Sequence, residues 1–418
     1  MRKNNMILNF FFKFIFFIKN YSFINIFFSF LLFSELSYSQ TVSSDIDDWK
    51  ITKDFKLTID TSGYAFPTAM AFVQNVSDNL EDPLYYVLEL NGTLKVVTNE
   101  KKIKIFAENI IPNIAGTSMD QSGAAGLCLD HSDGSIFVTY AYDDVKSGQK
   151  RNAIIKFYND KKVFQIKESK KIIMTELFEN EKSHSAHQIG PCIVDDHSIY
   201  VSVGYGLDKS EAQNLNTTLG SVIRMNKSNF MPLEDNPFFI NDNNITSHDY
   251  IWAYGFRNIF GLVEVNDEIF YTQNGGNIDT FGKLEKGKNY LWDGTDISIA
   301  ASASYVFSPS QGLVSITYID NDNNFPKDFK NKFYIISSGS PGEIGPGKKG
   351  KNIWVLDYDL EKDNLNSSPF EFVKFDGNYL QLPVFNSFFD NSLYFFGIMP
   401  NNEFKTNIYK IKYLKNFN

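Results

Sequence analysis

The sequence predicts an all-β chain folded as a single six-bladed β-propeller of four-stranded antiparallel blades. Three observations lead there. A unit of short strands recurs six times. Its strand segments are β-branched and aromatic, separated by Asn-Gly, Asp-Gly and Asn-Asp turn signals. Beyond the N-terminal forty residues, no stretch carries a long helical period.

The units follow one another along the chain. The first runs from Ala69 to Val97, with Asn91-Gly92 between two of its strands. The second and third begin with matched runs, Gly126-Leu-Cys-Leu-Asp and Gly190-Pro-Cys-Ile-Val. Each continues into a second strand, Ser135-Ile-Phe-Val-Thr or Ser198-Ile-Tyr-Val-Ser, and then a third at Ala153 or Ser221. Gly261, Gly312 and Pro383 open the remaining three, with second strands at Glu268, Lys332 and Ser392. One such sheet cannot bury both faces, so blades stack around an axis. Residues 48–60 are expected to add an outer strand to the last blade and close the ring, and 205–220 and 273–290 to be long functional loops. A two-sheet sandwich is the alternative, against which six similar units argue.

The first 39 residues stand apart. Arg2, Lys3, Lys13 and Lys19 precede an apolar stretch from Phe23 to Phe33, and Ser37-Tyr38-Ser39 offers small residues for cleavage before Gln40. This is the pattern of a signal peptide, with an uncleaved anchor as the alternative. The single propeller domain is then 40–418, placed in the periplasm or secreted, and a membrane is a partner only if the leader is retained. Cys128 and Cys192 fall at matching places in consecutive units. They either pair in an oxidising compartment or pack as buried thiols. A net charge of −9 argues against a nucleic-acid partner.

Several runs carry chemistry. Ile251-Trp-Ala-Tyr-Gly-Phe-Arg-Asn-Ile-Phe-Gly261 places Arg257 and Asn258 just before a strand. A guanidinium there is a planar fork of donors for an anionic oxygen, or else a tie between two blades. Gln121-Ser-Gly-Ala-Ala-Gly126 sets an amide and close-approaching glycines before another strand, and His184 and His187 precede the Gly190 strand. Histidine is the commonest general base near neutrality, though isolated histidines are more often structural.

Taken in order, these runs resemble the glucose/sorbosone dehydrogenase family, as do Ile199-Tyr-Val-Ser-Val-Gly204, Asn216 to Arg224, Asn236-Pro-Phe and Gly287-Lys-Asn-Tyr-Leu-Trp292. The resemblance covers essentially the whole chain after the leader. It implies an exported six-bladed propeller that oxidises a sugar or alcohol with pyrroloquinoline quinone and calcium, passing electrons to an acceptor. His187 then matches the base that takes the C1 hydroxyl proton, and Arg257 the group that steadies charge on the quinone oxygen. Asn258, Gln273 and Lys349 match cofactor-contacting positions, Gln121 a substrate-lining position, and the carbonyls of Asn274 and Gly275 the calcium ligands.

The sequence also departs from the family pattern. Tyr205 stands where a carboxylate orients the histidine, Ala186 where the glucose-oxidising member has a second acid, and Leu380 and Leu382 near two arginines that grip the cofactor. Two other readings therefore compete. One is a propeller that binds a ligand or partner without catalysis. The other is a hydrolase or lactonase with acids ringing a central metal.

Overall fold

Six antiparallel sheets follow one another along the chain, each with its first strand innermost. The computed structural model describes residues 45–113, 122–179, 181, 186–339, 350–401 and 405–414. The expected leader, Gln121, His184 and Lys349 lie outside the described residues. Blade 1 comprises Pro67–Phe72, Pro83–Glu89, Leu94–Thr98 and Ile103–Ala107; blade 2 comprises Gly123–Asp130, Ser135–Asp144, Gln149–Tyr158 and Lys170–Met174. Blade 3 is Ile189–Val194, Ser198–Val203, Ser221–Asn226 and Ile251–Tyr254, and blade 4 is Ile259–Val265, Glu268–Asn274, Asp279–Leu284 and Tyr305–Phe307. Blade 5 holds Leu313–Ile319, Lys332–Ser337, Asn352–Leu356 and Phe370–Phe375; blade 6 holds Pro383–Phe389, Ser392–Gly397 and Thr406–Tyr413. Each inner strand touches the inner strands of the blades on either side, and blade 6 returns to blade 1. The ring is closed, and the predicted fold class is the observed one.

The segment that closes the ring divides its work. Phe55–Tyr64 pairs with Thr406–Tyr413 as the outer strand of blade 6, as the sequence led us to expect. Trp49–Ile51 instead pairs with Phe370–Phe375 and gives blade 5 a fifth strand. The Trp49 ring then bridges the two blades, with centroids 5.0 Å from Phe375, 4.8 Å from Phe395 and 5.6 Å from Tyr409. Burying a large apolar side chain of this kind stabilises by roughly 1.5–3 kcal/mol, so the strap is held by its aromatic residues as well as by its ladder. The expected loop 273–290 is a second correction. It contains the strand Asp279–Leu284, because 275–278 is a tight turn whose ends Asp279 ties together by accepting from the Gly275 amide at 3.2 Å.

The repeated glycine has a steric reason. The Thr139 hydroxyl, on the second strand of blade 2, donates to the Gly190 carbonyl of blade 3 at 2.6 Å. Ser202 of blade 3 donates likewise to Ile259 of blade 4 at 3.4 Å, and Thr272 of blade 4 to Val314 of blade 5 at 2.9 Å. Each bond crosses the space beside its own inner-strand glycine. A Cβ on Gly126 would lie 2.6 Å from the Thr139 hydroxyl, one on Gly190 2.5 Å from that of Ser202, and one on Gly261 2.4 Å from that of Thr272. A side chain there would displace the bond that stitches one blade to the next. Beside the first of these bonds, Cys128 and Cys192 form a disulfide between the inner strands of blades 2 and 3, with Cα atoms 5.9 Å apart. Of the two states open to these cysteines, the paired one is present.

Candidate active site

All six inner strands line one axial cavity of about 500 Å³. We call the end at which these strands begin its mouth. His187 lies two residues before the inner strand of blade 3, and Arg257 two before that of blade 4. Gln121, outside the described residues, precedes Gly123 by the same interval. His187 and Arg257 hold one position of the repeat in consecutive blades, which is why residues far apart in sequence meet at one end of the channel.

Strand register supplies the partners. Ile259 faces Gln273 across the first hairpin of blade 4, so the two chains leaving that pair carry Arg257 and Asn258 on one side and Asn274 on the other. The Arg257 amide donates to Gln273 Oε1 at 2.6 Å, and the Asn274 amide donates to the Asn258 carbonyl at 3.2 Å. The guanidinium donates through Nη1 to the Asn274 carbonyl at 2.9 Å and lies 5.7 Å from the centre of the Trp292 ring. In blade 3, Ile189 faces Val203, so His187 and Tyr205 flank the pair in the same way. Their rings lie 4.9 Å apart, and Tyr205 in turn meets Trp292 at 5.6 Å. His187, Tyr205, Trp292 and Arg257 thus form one continuous group.

The electrostatics follow from burial. His187 is 9% exposed, and burial with the neighbouring Arg257 charge holds its imidazole down at about 3. It is therefore neutral, with a lone pair free of a proton, throughout the physiological range. Burial also lowers Arg257, while Tyr205, Asp279 and Asp296 act in the opposite sense and favour its charge. Burial raises Asp279, partly offset by the Gln311, Gly275 and Gly312 amides and the Ser310 hydroxyl. Burial works against the charge of Asp296 too, but the Gly276 and Asn277 amides and Arg257 outweigh it and hold it low. A cationic fork beside a neutral base, backed by two carboxylates, is a site for an anionic or electron-rich oxygen ligand.

The structure brings His187, Arg257, Asn258, Gln273 and Asn274 together, and Gly275 follows in the same turn. Asn258 and Gln273 are buried, and Asn258 Nδ2 has no hydrogen-bond partner. Among the described residues no group of three acidic, histidine or cysteine side chains is placed to hold a metal. Leu380 and Leu382 are half-buried just before the blade 6 inner strand. Sequence reasoning assigned no part to Trp292, Asp279 or Asp296. Trp292 ends one of the matched runs, which was a usable signal. The two aspartates act through backbone amides that no sequence motif announces.

Residues 66–310 match the sequence profile of the Glucose / Sorbosone dehydrogenase family. An uncharacterized Borreliella burgdorferi protein is 25% identical over 370 residues, 78% of this chain and 93% of that protein. An uncharacterized Synechocystis protein is 31% identical over 128 residues, which span only 30% of its length and 28% of this chain. Among solved structures, the soluble aldose sugar dehydrogenase of Escherichia coli in its apo form superposes with a TM-score of 0.63 at 19% identity, over 86% of this chain and 99% of that one. The pyrroloquinoline-quinone-bound aldose sugar dehydrogenase of Streptomyces coelicolor gives 0.62 at 15% identity, over 87% and 99%. At these identities the structural likenesses carry the fold.

Proposed function

This chain belongs to the glucose/sorbosone dehydrogenase family, and we propose that it is an exported oxidoreductase that oxidises a sugar or alcohol with pyrroloquinoline quinone and calcium at the channel mouth. The observation that carries this reading is the meeting of a buried neutral imidazole, His187, with the guanidinium of Arg257. Export draws support from the leader-like first 39 residues and from the Cys128–Cys192 disulfide, which suits an oxidising compartment.

The residues at the mouth fit such a ligand pair. Asn258 Nδ2 is a buried donor without a partner, as an oxygen-rich ligand would require. The Asn274 carbonyl gives one lone pair to Arg257 and keeps a second, and carbonyl oxygens suit a hard cation. Asn274 and Gly275 would hold calcium; Arg257, Asn258, Gln273 and Lys349 would hold the quinone; Gln121 would line the substrate. When bound, the quinone supplies a two-electron acceptor and calcium a Lewis acid that polarises it. His187 accepts the hydroxyl proton of the carbon being oxidised, and its neutrality keeps it ready to do so. Arg257 steadies negative charge as it develops, held in place by the Gln273 side chain and the Asn274 carbonyl.

Apolar Leu380 and Leu382 favour a second reading, a propeller that binds without turning over, because they offer the quinone's carboxylates no charged partner. A titration of the purified protein with the quinone, with and without calcium and then with a chelator, separates the two. We expect a calcium-dependent bound spectrum of lower affinity than the arginine-bearing family pattern implies, dye reduction with some member of a sugar panel, and weak turnover of glucose. No bound spectrum from a folded protein would overturn the proposal in favour of the second reading.

A further inference from the structure

The turn Gly204-Tyr205-Gly206 joins the two blades that supply His187 and Arg257. Its three consecutive amides donate to three carbonyls: Gly204 to Gln188, Tyr205 to Arg257 and Gly206 to His187, each at 3.0 Å. The turn cannot drift, because Gly204 has no room. A Cβ on it would lie 2.5 Å from the His187 carbonyl and 2.6 Å from Asn258 Oδ1. His187 itself has a φ of 59°, left-handed and costly for a residue with a side chain, by about 1–3 kcal/mol. The Gly206 amide holds its carbonyl in that conformation. Above the turn, the Tyr205 ring is wedged between the imidazole and the Trp292 indole. Trp292 is fixed in its turn, since its amide donates to the Gly255 carbonyl at 2.8 Å and its carbonyl accepts from Gln213 Nε2 at 3.1 Å.

We infer that Tyr205 is the positioning residue for His187: its ring, pressed between imidazole and indole, sets the direction of the imidazole and shields it from water, while its amide ties the base to the arginine-bearing loop. This deepens the proposed function and rests on that reading for its catalytic consequence. The resemblance places a carboxylate at this position, and a carboxylate would direct the ring by a hydrogen bond and stabilise its charged form. An aromatic wedge directs it by contact and leaves it neutral. Among the described residues, the charged group that acts on the imidazole is Arg257, from the blade 4 loop, and it too disfavours a proton there. Arg257 is in turn balanced by Asp279 and Asp296. The base is therefore available well into the acid range, and residue 205, as part of what buries the imidazole, becomes one determinant of how the site responds to pH.

The test uses the full chain carrying Tyr205→Ala, Tyr205→Phe and Tyr205→Asp, with the imidazole signals of the five histidines followed by NMR and that of His187 identified through His187→Gln. In the parent and in Tyr205→Phe, the His187 signal should not titrate above about pH 5, since desolvation sets its proton affinity. Tyr205→Ala admits water, and Tyr205→Asp adds a negative charge; both should move the midpoint upward, Tyr205→Asp further. In the quinone-loaded protein, Tyr205→Ala should lower kcat by roughly tenfold to a hundredfold, the usual effect of a misplaced group. Its KM and quinone affinity should hold, and Tyr205→Phe should keep near-parent kcat. The acid limb of the rate profile should shift in step with the NMR midpoint. A His187 signal that titrates alike in the parent, Tyr205→Ala and Tyr205→Asp overturns the inference, as does unchanged kcat in Tyr205→Ala. If the loaded protein oxidises nothing, the proposed function fails, and the titration alone still decides whether Tyr205 governs the imidazole.

Discussion

The mouth of the channel has two unlike halves. Blades 3 and 4 place His187 and Arg257 two residues before their inner strands, and blades 5 and 6 place Gln311 and Gln381 at the same position of the repeat. Gln381 is used up locally: its Nε2 donates to the Met399 carbonyl at 3.2 Å, and its Oε1 accepts from the Leu382 amide at 3.0 Å. Gln311 donates to the Pro309 carbonyl at 2.9 Å. On the other half, His187 sits in a left-handed conformation, Asn258 keeps a buried donor without a partner, and Arg257 brings a charge into a largely buried place. The repeat assigns the position, and local satisfaction separates a structural occupant from a working one. The strap follows the same division. Trp49 and Phe55 crowd the outer seam of blades 5 and 6 with aromatic contacts, including Phe55 to Phe372 at 4.9 Å, and this seam carries stability rather than chemistry.

The largest effect should come from breaking the stable half. Trp49→Ala removes a side chain that is 4% exposed and touches both blades. Truncating a buried tryptophan costs about 3–5 kcal/mol, so chemical denaturation should show a loss of that size. Quinone titration of the protein that remains folded should match the parent. A comparable loss of binding would mean that the two halves are mechanically one.

The working half should respond in the opposite sense. Arg257→Lys keeps the charge but loses the fork that spans the Asn274 carbonyl and the ligand. Dye reduction should fall by about 10²–10³-fold, the loss expected when one oxyanion donor is withdrawn, while the unfolding midpoint stays near that of the parent. Gln381→Ala is the counterpart at the same repeat position. It should lower stability by about 1 kcal/mol, the worth of an ordinary hydrogen bond, and leave dye reduction untouched. Reversed results for the two variants would relocate the site to the blade 6 side.

How much of this was legible in the sequence follows the same boundary. The blades were readable because the glycine that makes room for each interblade hydroxyl recurs with the strand pattern, at Gly126, Gly190 and Gly261. His187 and Arg257 were readable as members of ordered runs and Gln273 only through the resemblance those runs carry, and their meeting is a consequence of hairpin register that the runs do not state. Trp49 was placed in the last blade because a three-residue strand holds too little pattern to choose between neighbours; side-chain packing chose blade 5. The 273–290 segment read as a loop because the four-residue turn is held by Asp279, which binds the nearby Gly275 amide through one oxygen and is itself anchored through the other by Gln311 and Gly312, more than thirty residues away. Contacts of that range leave no trace in local composition.

The smallest predicted effect is a slope, and it concerns two buried groups on the blade 3 side that burial shifts in opposite directions. His187 falls from the ordinary 6.5 to about 3, and Glu181 rises from 4.5 to about 7, its Oε1 accepting from the Thr218 amide at 2.6 Å. Between about 3 and 6.5 the unfolded chain protonates the histidine and the folded one does not, so this group makes stability rise with pH. Between 4.5 and about 7 the folded chain keeps the Glu181 proton and the unfolded one releases it, so stability falls with pH. From 4.5 to 6.5 the two slopes, each at most about 1.4 kcal/mol per pH unit, cancel. Glu181→Gln removes the falling term, so the variant-minus-parent difference in unfolding free energy should climb across this window. His187→Gln removes the rising term, and its difference curve should descend. Both variants carry some constant offset from altered packing, which leaves the sign of each slope untouched. Denaturant curves at half-unit steps from pH 4.5 to 6.5 read those signs directly. Parallel curves for parent and variants would mean that water reaches both groups in the folded protein, and with it the imidazole that the Tyr205 wedge is inferred to cover.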